Sequence, residues 1–305
     1  MDLSIIIVNW NTRELLAQCL RAVYETVHDI SYEVIVVDNA SADGSAAMVR
    51  EQFPWVKLIE SQENLGFARG NNVALGYASG KHILLLNPDT VAQECAINRL
   101  YNTLQRYPRL GAVGAQLLNP DGSEQESWGI FPSLWTELPM LNRWLRGAPQ
   151  LLAAEEPASP LVVDWVSGAS LMMRRQTLEQ VGKLDESYWL YTEEADWCYR
   201  ARKAGLEIAL VPSAQVTHVA RAASRQRLAE TMIHYYRSRL RFIVKYHGTL
   251  QGIGSRLIFT CKAALWAISP ARSPLIRAMP DLPLADVRRA YGVLCRWGSG
   301  FGVKA

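Results

Sequence analysis

At 305 residues, 49% apolar and 20% charged, the chain is long enough to bury a large core, and its composition excludes wholesale disorder. A formal charge of +3, without aromatic residues interleaved in a basic stripe, argues against nucleic acid as a partner. Five scattered cysteines (Cys19, Cys95, Cys198, Cys261, Cys295) lack CxxC pairs, which argues against a disulfide framework or a zinc site and fits a reducing cytosol.

Met1-Asp2-Leu3 leads straight into a strand, "LSIIIVNW", with no basic segment ahead of an apolar stretch, so no secretory signal is expected. Thr12 then reads as the N-cap of a helix carrying Leu15, Leu16, Cys19, Leu20 and Val23 at helical spacing. "YEVIVVDNAS" is the second strand and "SADGSAAMVREQF" the second helix. "VKLIES" and "FARGNNVALGYASG" form the third pair, and "HILLLNPDT" is the fourth strand. Near-continuous Ile, Val and Leu predict strands buried on both faces, as in a parallel sheet covered by helices. Right-handed crossovers then bring the strand ends to one rim, where Trp10-Asn11, Asp38-Asn39, Glu63-Asn64 and Asn87-Pro88-Asp89 fall together.

Those ends are rich in oxygen. Asp38 and Asn39 can accept hydrogen bonds from a ribose hydroxyl or a base N–H. Gly66, Gly70, Asn71 and Asn72 surround a helix start that lets backbone approach a ligand, with Arg69 available to a phosphate. Asp89 can hold Mg²⁺ or Mn²⁺ against a diphosphate, with Asn87 as a hydrogen-bonding or water-mediated partner. Taken singly, each segment is also explained as a turn that ends a strand.

Six segments, "SIIIVNWN", "VIVVDNASADGS", "ENLGFARGNN", "LLLNPDT", "WVSGASLMMRR" and "LDESYWLYTEEADWCYRARKAG", occur in an order and spacing that resembles the family 2 glycosyltransferases, most of all their rhamnosyltransferase-like subgroup. The resemblance covers about residues 1–247. It implies an α/β GT-A fold, with a mostly parallel central sheet flanked by helices and followed by a helical C-terminal extension. It also implies an inverting, metal-dependent transfer from a nucleotide-diphosphate sugar, dTDP- or UDP-linked, to a glycan or lipid-linked acceptor in polysaccharide assembly. The donor side then comprises Asn9, Asn11, Asp38, Asn39, Asn64, Gly66, Arg69, Asn72 and Asn87. Trp165, Gly168 and Ala169 would face the acceptor, with Asp89 and His218 holding the cation. Glu194 stands where relatives carry the general base, usually an Asp, and Asp196 is the reserve candidate. Charge pattern alone leaves both as ordinary first-turn acids, and Asp196 and Arg200 are i,i+4 neighbours. His218 is equally readable as a structural histidine at a strand end.

Arg174 and Arg175 can orient phosphate or simply sit solvated at a turn. Residues 119–160, with Trp128, Phe131, Trp135 and Trp144, form an insert able to fold over an acceptor or to pack as a small helical element. Residues 1–247 would be the transferase domain and 248–305 a helical extension. That extension is too interrupted by Arg256 and Lys262 to span a bilayer, yet suited to a peripheral membrane contact or a second subunit. A nucleotidyltransferase, a non-catalytic sugar-nucleotide-binding protein and a retaining transferase are the competing readings.

Overall fold

The computed structural model describes residues 1–138, 141–142, 145, 150–151, 159–219, 228–278 and 281–299. Trp144 of the aromatic insert lies outside them. The chain divides into two compact units, described separately below. The first comprises Met1–Phe131, Arg146–Trp189 and Glu193–Ala223, and the second Pro132–Leu145, Leu190–Thr192 and Ser224–Ala305. The second unit thus takes in residues ahead of the 247/248 boundary expected from sequence, and the insert is shared between the units.

The first unit begins with β1 (Leu3–Asn9), α1 (Arg13–Thr26), β2 (Tyr32–Asp38), α2 (Ser45–Gln52), β3 (Lys57–Glu60), α3 (Gly66–Leu75) and β4 (His82–Leu86). It continues through β5 (Thr90–Ala92), α4 (Ala96–Arg106), β6 (Leu110–Leu118), β7 (Trp128–Gly129), β8 (Gln150–Leu151), β9 (Leu161–Val163) and β10 (Trp165–Val166). It closes with β11 (Ser170–Arg174), α5 (Arg175–Val181), α6 (Glu193–Lys203) and β12 (Glu207–His218).

The main sheet runs β3-β2-β1-β4-β11-β6-β12-β9-β8, with β5 added against β12, and β7 and β10 pair separately. Its first four strands are parallel, as their continuous apolar sequences predict. β11 enters antiparallel between β4 and β6, which makes the sheet mixed. Alternate residues feed two cores. Ile5, Ile7, Val34, Val36, Leu84 and Leu86 meet α1, α2 and α4 on one face, while Ile6, Ile35, Val37, Ile83 and Leu85 meet α3 and α6 on the other.

Thr12 departs from the expected cap. Its hydroxyl donates to Asn9 Oδ1 (2.7 Å) instead of accepting from the helix backbone. Arg174 and Arg175 also find protein partners: Arg174 donates to the carbonyls of Leu104, Tyr107 and Leu110, and Arg175 to those of Ala78 and Gly80.

In the second unit, α7 (Leu228–His247), α8 (Thr249–Ile268), α9 (Pro274–Ala278) and α10 (Leu284–Ser299) build a separate core. Met232 and Ile233 of α7 pack with Ala263 of α8 and with Val287, Tyr291 and Leu294 of α10. Within this unit the half-buried Arg239 guanidinium donates to Glu137 Oε1 (3.0 Å through Nε), and Lys262 donates to the Glu137 carbonyl.

Candidate active site

The strand order 3-2-1-4 reverses the direction of chain winding between β1 and β4, and a crevice for ligands opens outside the carboxyl ends of strands at such a switch point. Asn9, Asp38 and Asn87 end or follow the strands there. Asn9 is buried and fully engaged: Nδ2 donates to Asp38 Oδ1 (2.9 Å) and Ser41 Oγ (3.1 Å), and Oδ1 accepts from Thr12. Asn11, at φ +51°, accepts the Ala42 N–H (2.7 Å). Both asparagines brace the loops at this rim. Asp38 also accepts the Ser41 N–H (2.9 Å), and a carboxylate has lone pairs beyond these two for an incoming hydroxyl or N–H.

Asn39 Nδ2 donates to the Gly66 carbonyl (3.1 Å) and, at 3.4 Å, to Asn64 Oδ1, while its own Oδ1 is buried without a protein donor. Asn64 Oδ1 in turn accepts the Gly66 N–H (2.9 Å). Gly66 has φ +73°, and a side chain there would strike the carbonyl and indole of Trp189, so its need for glycine comes from the protein's own packing. Arg69 pairs with Glu63 at 2.9 Å, an exposed contact weak enough to yield to a phosphate. Asn72 Nδ2 donates to the Leu184 carbonyl and Glu186, and Oδ1 accepts the Leu184 N–H. That buried amide clamps the 184–186 segment, with both Nδ2 hydrogens committed to protein acceptors.

The stretch after β4 reaches His218 by sheet register. Thr90 pairs with His218 across β5 and β12, so Asp89 arrives beside the imidazole, with Oδ1 3.3 Å from Nε2. β12 can reach this position because its register shifts between Val211 and Gln215, around Pro212, which has no N–H to give the ladder. Asn87 Nδ2 lies 3.4 Å from the same ring nitrogen.

The residue missed by motif reasoning is Gln125. Its Nε2 donates to Asn119 Oδ1 and to the His218 carbonyl, both at 2.8 Å, which identifies Oε1 as the atom 2.9 Å from His218 Nδ1. Nδ1 therefore carries a proton, and Nε2 faces the Asp89 carboxylate. A proton or a cation between Nε2 and that carboxylate would join them at this separation. The spacing suits adjacent ligands of an octahedral ion, about 3.0 Å apart when each bond is about 2.1 Å. No cluster of three or more His, Cys, Asp or Glu side chains occurs among the described residues, so other positions on such an ion would fall to substrate oxygens and water. The signal for Gln125 was the Asn119-Pro120-Asp121-Gly122 turn, which folds the chain back along β6.

The acceptor motif joins this rim through the β4–β11 pairing. Leu86 pairs with Ser170, and Asn87 donates its backbone N–H to the Ala169 carbonyl (3.0 Å). A Cβ placed on Gly168 would stand 3.6 Å from Glu194 Cβ and 3.3 Å from the Phe67 ring, so Glu194 shares this corner with Asn87. Trp165 behaves otherwise than expected: its indole N–H donates to the Ile130 carbonyl (2.9 Å) and its ring packs on Gly129, closing the β7–β10 pair.

Helix α6 opens in an unusual way. Tyr191 and Thr192 precede it at φ +66° and +72°, and a β-branched residue in that region is strained, so Thr192 does not adopt the extended backbone usual for an N-cap. Glu193 is buried, and burial first, then the Glu194 charge, raises its pKa well above the ordinary carboxylate range. Glu194 is half-buried. Asp196, the reserve base, is fully buried and accepts from Arg200 Nε (2.9 Å), whose other nitrogens reach the carbonyls of Val181 and Lys183. That pairing anchors α6.

Comparison with known proteins identifies the family. The model of Glycosyl transferase family 2 matches residues 4–181. The chain is 30% identical over 237 residues to the N-acetylglucosaminyl-diphospho-decaprenol L-rhamnosyltransferase of Mycobacterium tuberculosis, covering 70% of this chain and 75% of that one. It is 23% identical to Rhamnosyltransferase WbbL of Escherichia coli, covering 71% of this chain and 84% of that one. The solved mannosyltransferase PcManGT from Pyrobaculum calidifontis, in complex with GDP-Man and Mn²⁺, superposes with a TM-score of 0.54 at 20% identity over 97% of this chain and 87% of its own. With a GT-A fold and a family match across more than half its length, the chain belongs to glycosyl transferase family 2, on its rhamnosyltransferase-like side, and is a glycosyltransferase.

Proposed function

We propose that this glycosyltransferase moves a hexose, rhamnose favoured, from a dTDP- or UDP-sugar to a hydroxyl of a lipid-linked glycan, with inversion at the anomeric carbon. The observation that carries the reading is the shared corner of Glu194, Gly168 and Asn87, two residues along the chain from Asp89 of the Asp89–His218 pair. A proton acceptor and a diphosphate site on one rim suit a single displacement. Glu194 takes the acceptor hydroxyl's proton as its oxygen bonds to the anomeric carbon, and the bond from that carbon to the diphosphate oxygen breaks. Asp89 and His218 would hold Mg²⁺ or Mn²⁺, which when bound supplies positive charge against the diphosphate. Asp38 accepts from the nucleoside, and Gly168 keeps side-chain bulk away from the acceptor.

The lipid-linked acceptor is supported by the name of the mycobacterial relative, and a divalent cation by the Mn²⁺ in the mannosyltransferase complex. The test is a panel of dTDP-, UDP- and GDP-sugars with and without Mn²⁺, reading nucleoside diphosphate release and product anomer. Glu194→Gln is expected to lower turnover by roughly 10²- to 10⁴-fold while donor binding persists. Undiminished turnover would remove Glu194 as base, and a product of retained configuration would remove inversion.

A further inference from the structure

Helix α8 is built inside out. A soluble helix buries its apolar stripe and shows polar residues to water. Here the inward face is Gly252, Ser255, Phe259 and Ala263, mostly small residues against the rest of the second unit. The opposite face carries Leu250, Ile253, Leu257, Leu265 and Ile268, each between 55% and 84% exposed, with exposed Cys261 filling the interval. These positions recur at three and four residues, so they form one stripe about 27 Å long without a charged side chain in it.

A second observation concerns charge. Residues 224–305 hold fourteen Lys and Arg against three Asp and Glu, whereas the preceding residues hold eighteen against twenty-six. The near-neutral total therefore conceals a strongly cationic C-terminal segment. Arg237, Arg241 and Lys245 are exposed at four-residue spacing along α7, and Arg288 and Arg289 are exposed on α10. No described helix is long and apolar enough to cross a membrane.

We infer that α8 lies flat on an anionic lipid bilayer, its leucine and isoleucine stripe seated among the acyl chains and the surrounding arginines and lysines facing the headgroups. An uncharged apolar stripe within a strongly cationic segment is the combination found in an interfacial helix. A second copy of the chain fits less well, since it would bring two cationic segments together. The inference does not depend on the sugar-transfer reading, because vesicle binding is measured without substrate.

The test is cosedimentation of the full chain with vesicles of phosphatidylcholine alone and of equal parts phosphatidylcholine and phosphatidylglycerol. Binding is expected only to the anionic vesicles and to weaken as salt rises. Leu257→Asp with Leu265→Asp, both at exposed positions, is expected to lower the bound fraction about tenfold or more. An unchanged melting temperature and donor binding would verify its fold. Arg241→Glu with Arg289→Glu is expected to weaken binding with the apolar stripe intact. Vesicle binding untouched by the leucine substitutions would overturn the inference. So would a protein that ignores both vesicles and forms a dimer, by light scattering, that the same substitutions dissolve.

Discussion

His218 turns Nε2 toward Asp89 because Gln125 holds the other ring nitrogen, and this second contact determines what the first can do. Gln125→Leu is therefore expected to weaken Mn²⁺ binding by roughly 10- to 100-fold, read by titration of the donor-free protein. Gln125→Glu, which keeps an oxygen for Nδ1–H, should recover part of it. Equal Mn²⁺ affinity in the leucine variant would show that the imidazole needs no such support. Glu193 offers a test of a different kind. Its folded pKa lies above the unfolded one, so it favours folding below the ordinary carboxylate range, and that contribution is lost as pH rises through the raised value. Glu193→Gln cannot ionise, so its melting temperature should match the parent's in acid and exceed it increasingly toward neutral pH. The expected gap is about 2–4 °C for each kcal/mol of penalty removed. A gap that stays constant with pH would mean that the charge is accommodated.

Among the elements, α6 combines two tasks in four residues. Its first turn presents Glu194 beside Gly168, and Asp196 ties the helix through Arg200 to the carbonyls after α5. Trp197 reinforces that tie by donating to the Gly182 carbonyl at 3.0 Å. Asp196→Asn leaves the guanidinium without its buried counter-charge, a loss of about 3–5 kcal/mol. Urea denaturation should show that loss while turnover per folded molecule is retained. Collapse of turnover at unchanged stability would instead make Asp196 the base. The positive φ of Tyr191 and Thr192 belongs to the same element, since strain of this sort persists where surrounding structure over-determines it and is common at functional sites.

For the molecule as a whole, the division into two units separates chemistry from charge. Every residue assigned here to donor, cation, acceptor or base lies in the first unit. The second unit contains α7 as well as the helices after it, because Met232 and Ile233 find their apolar partners on α8 and α10. Chain order alone suggested that α7 belonged to the transferase domain, since the family motifs run close to it. Burial decided otherwise: a helix belongs where its apolar face is covered.

The strands, the crossover helices and the rim of oxygen-bearing residues were readable from sequence because hydrophobic period and strand-ending residues are local signals. Ile5, Ile6 and Ile7, buried on both faces, announce a covered parallel sheet wherever the rest of the chain goes. What each rim residue does was not readable, because hydrogen-bonding capacity is spent on partners far away in the chain. Asn72 meets Leu184, Trp165 meets Ile130, and Gln125 meets His218, each across dozens of residues. Composition likewise averaged a negative and a positive segment to near neutrality. Only the tertiary structure decided which polar groups were already satisfied, and only it exposed the apolar face of α8, since both depend on which surfaces the folded chain covers.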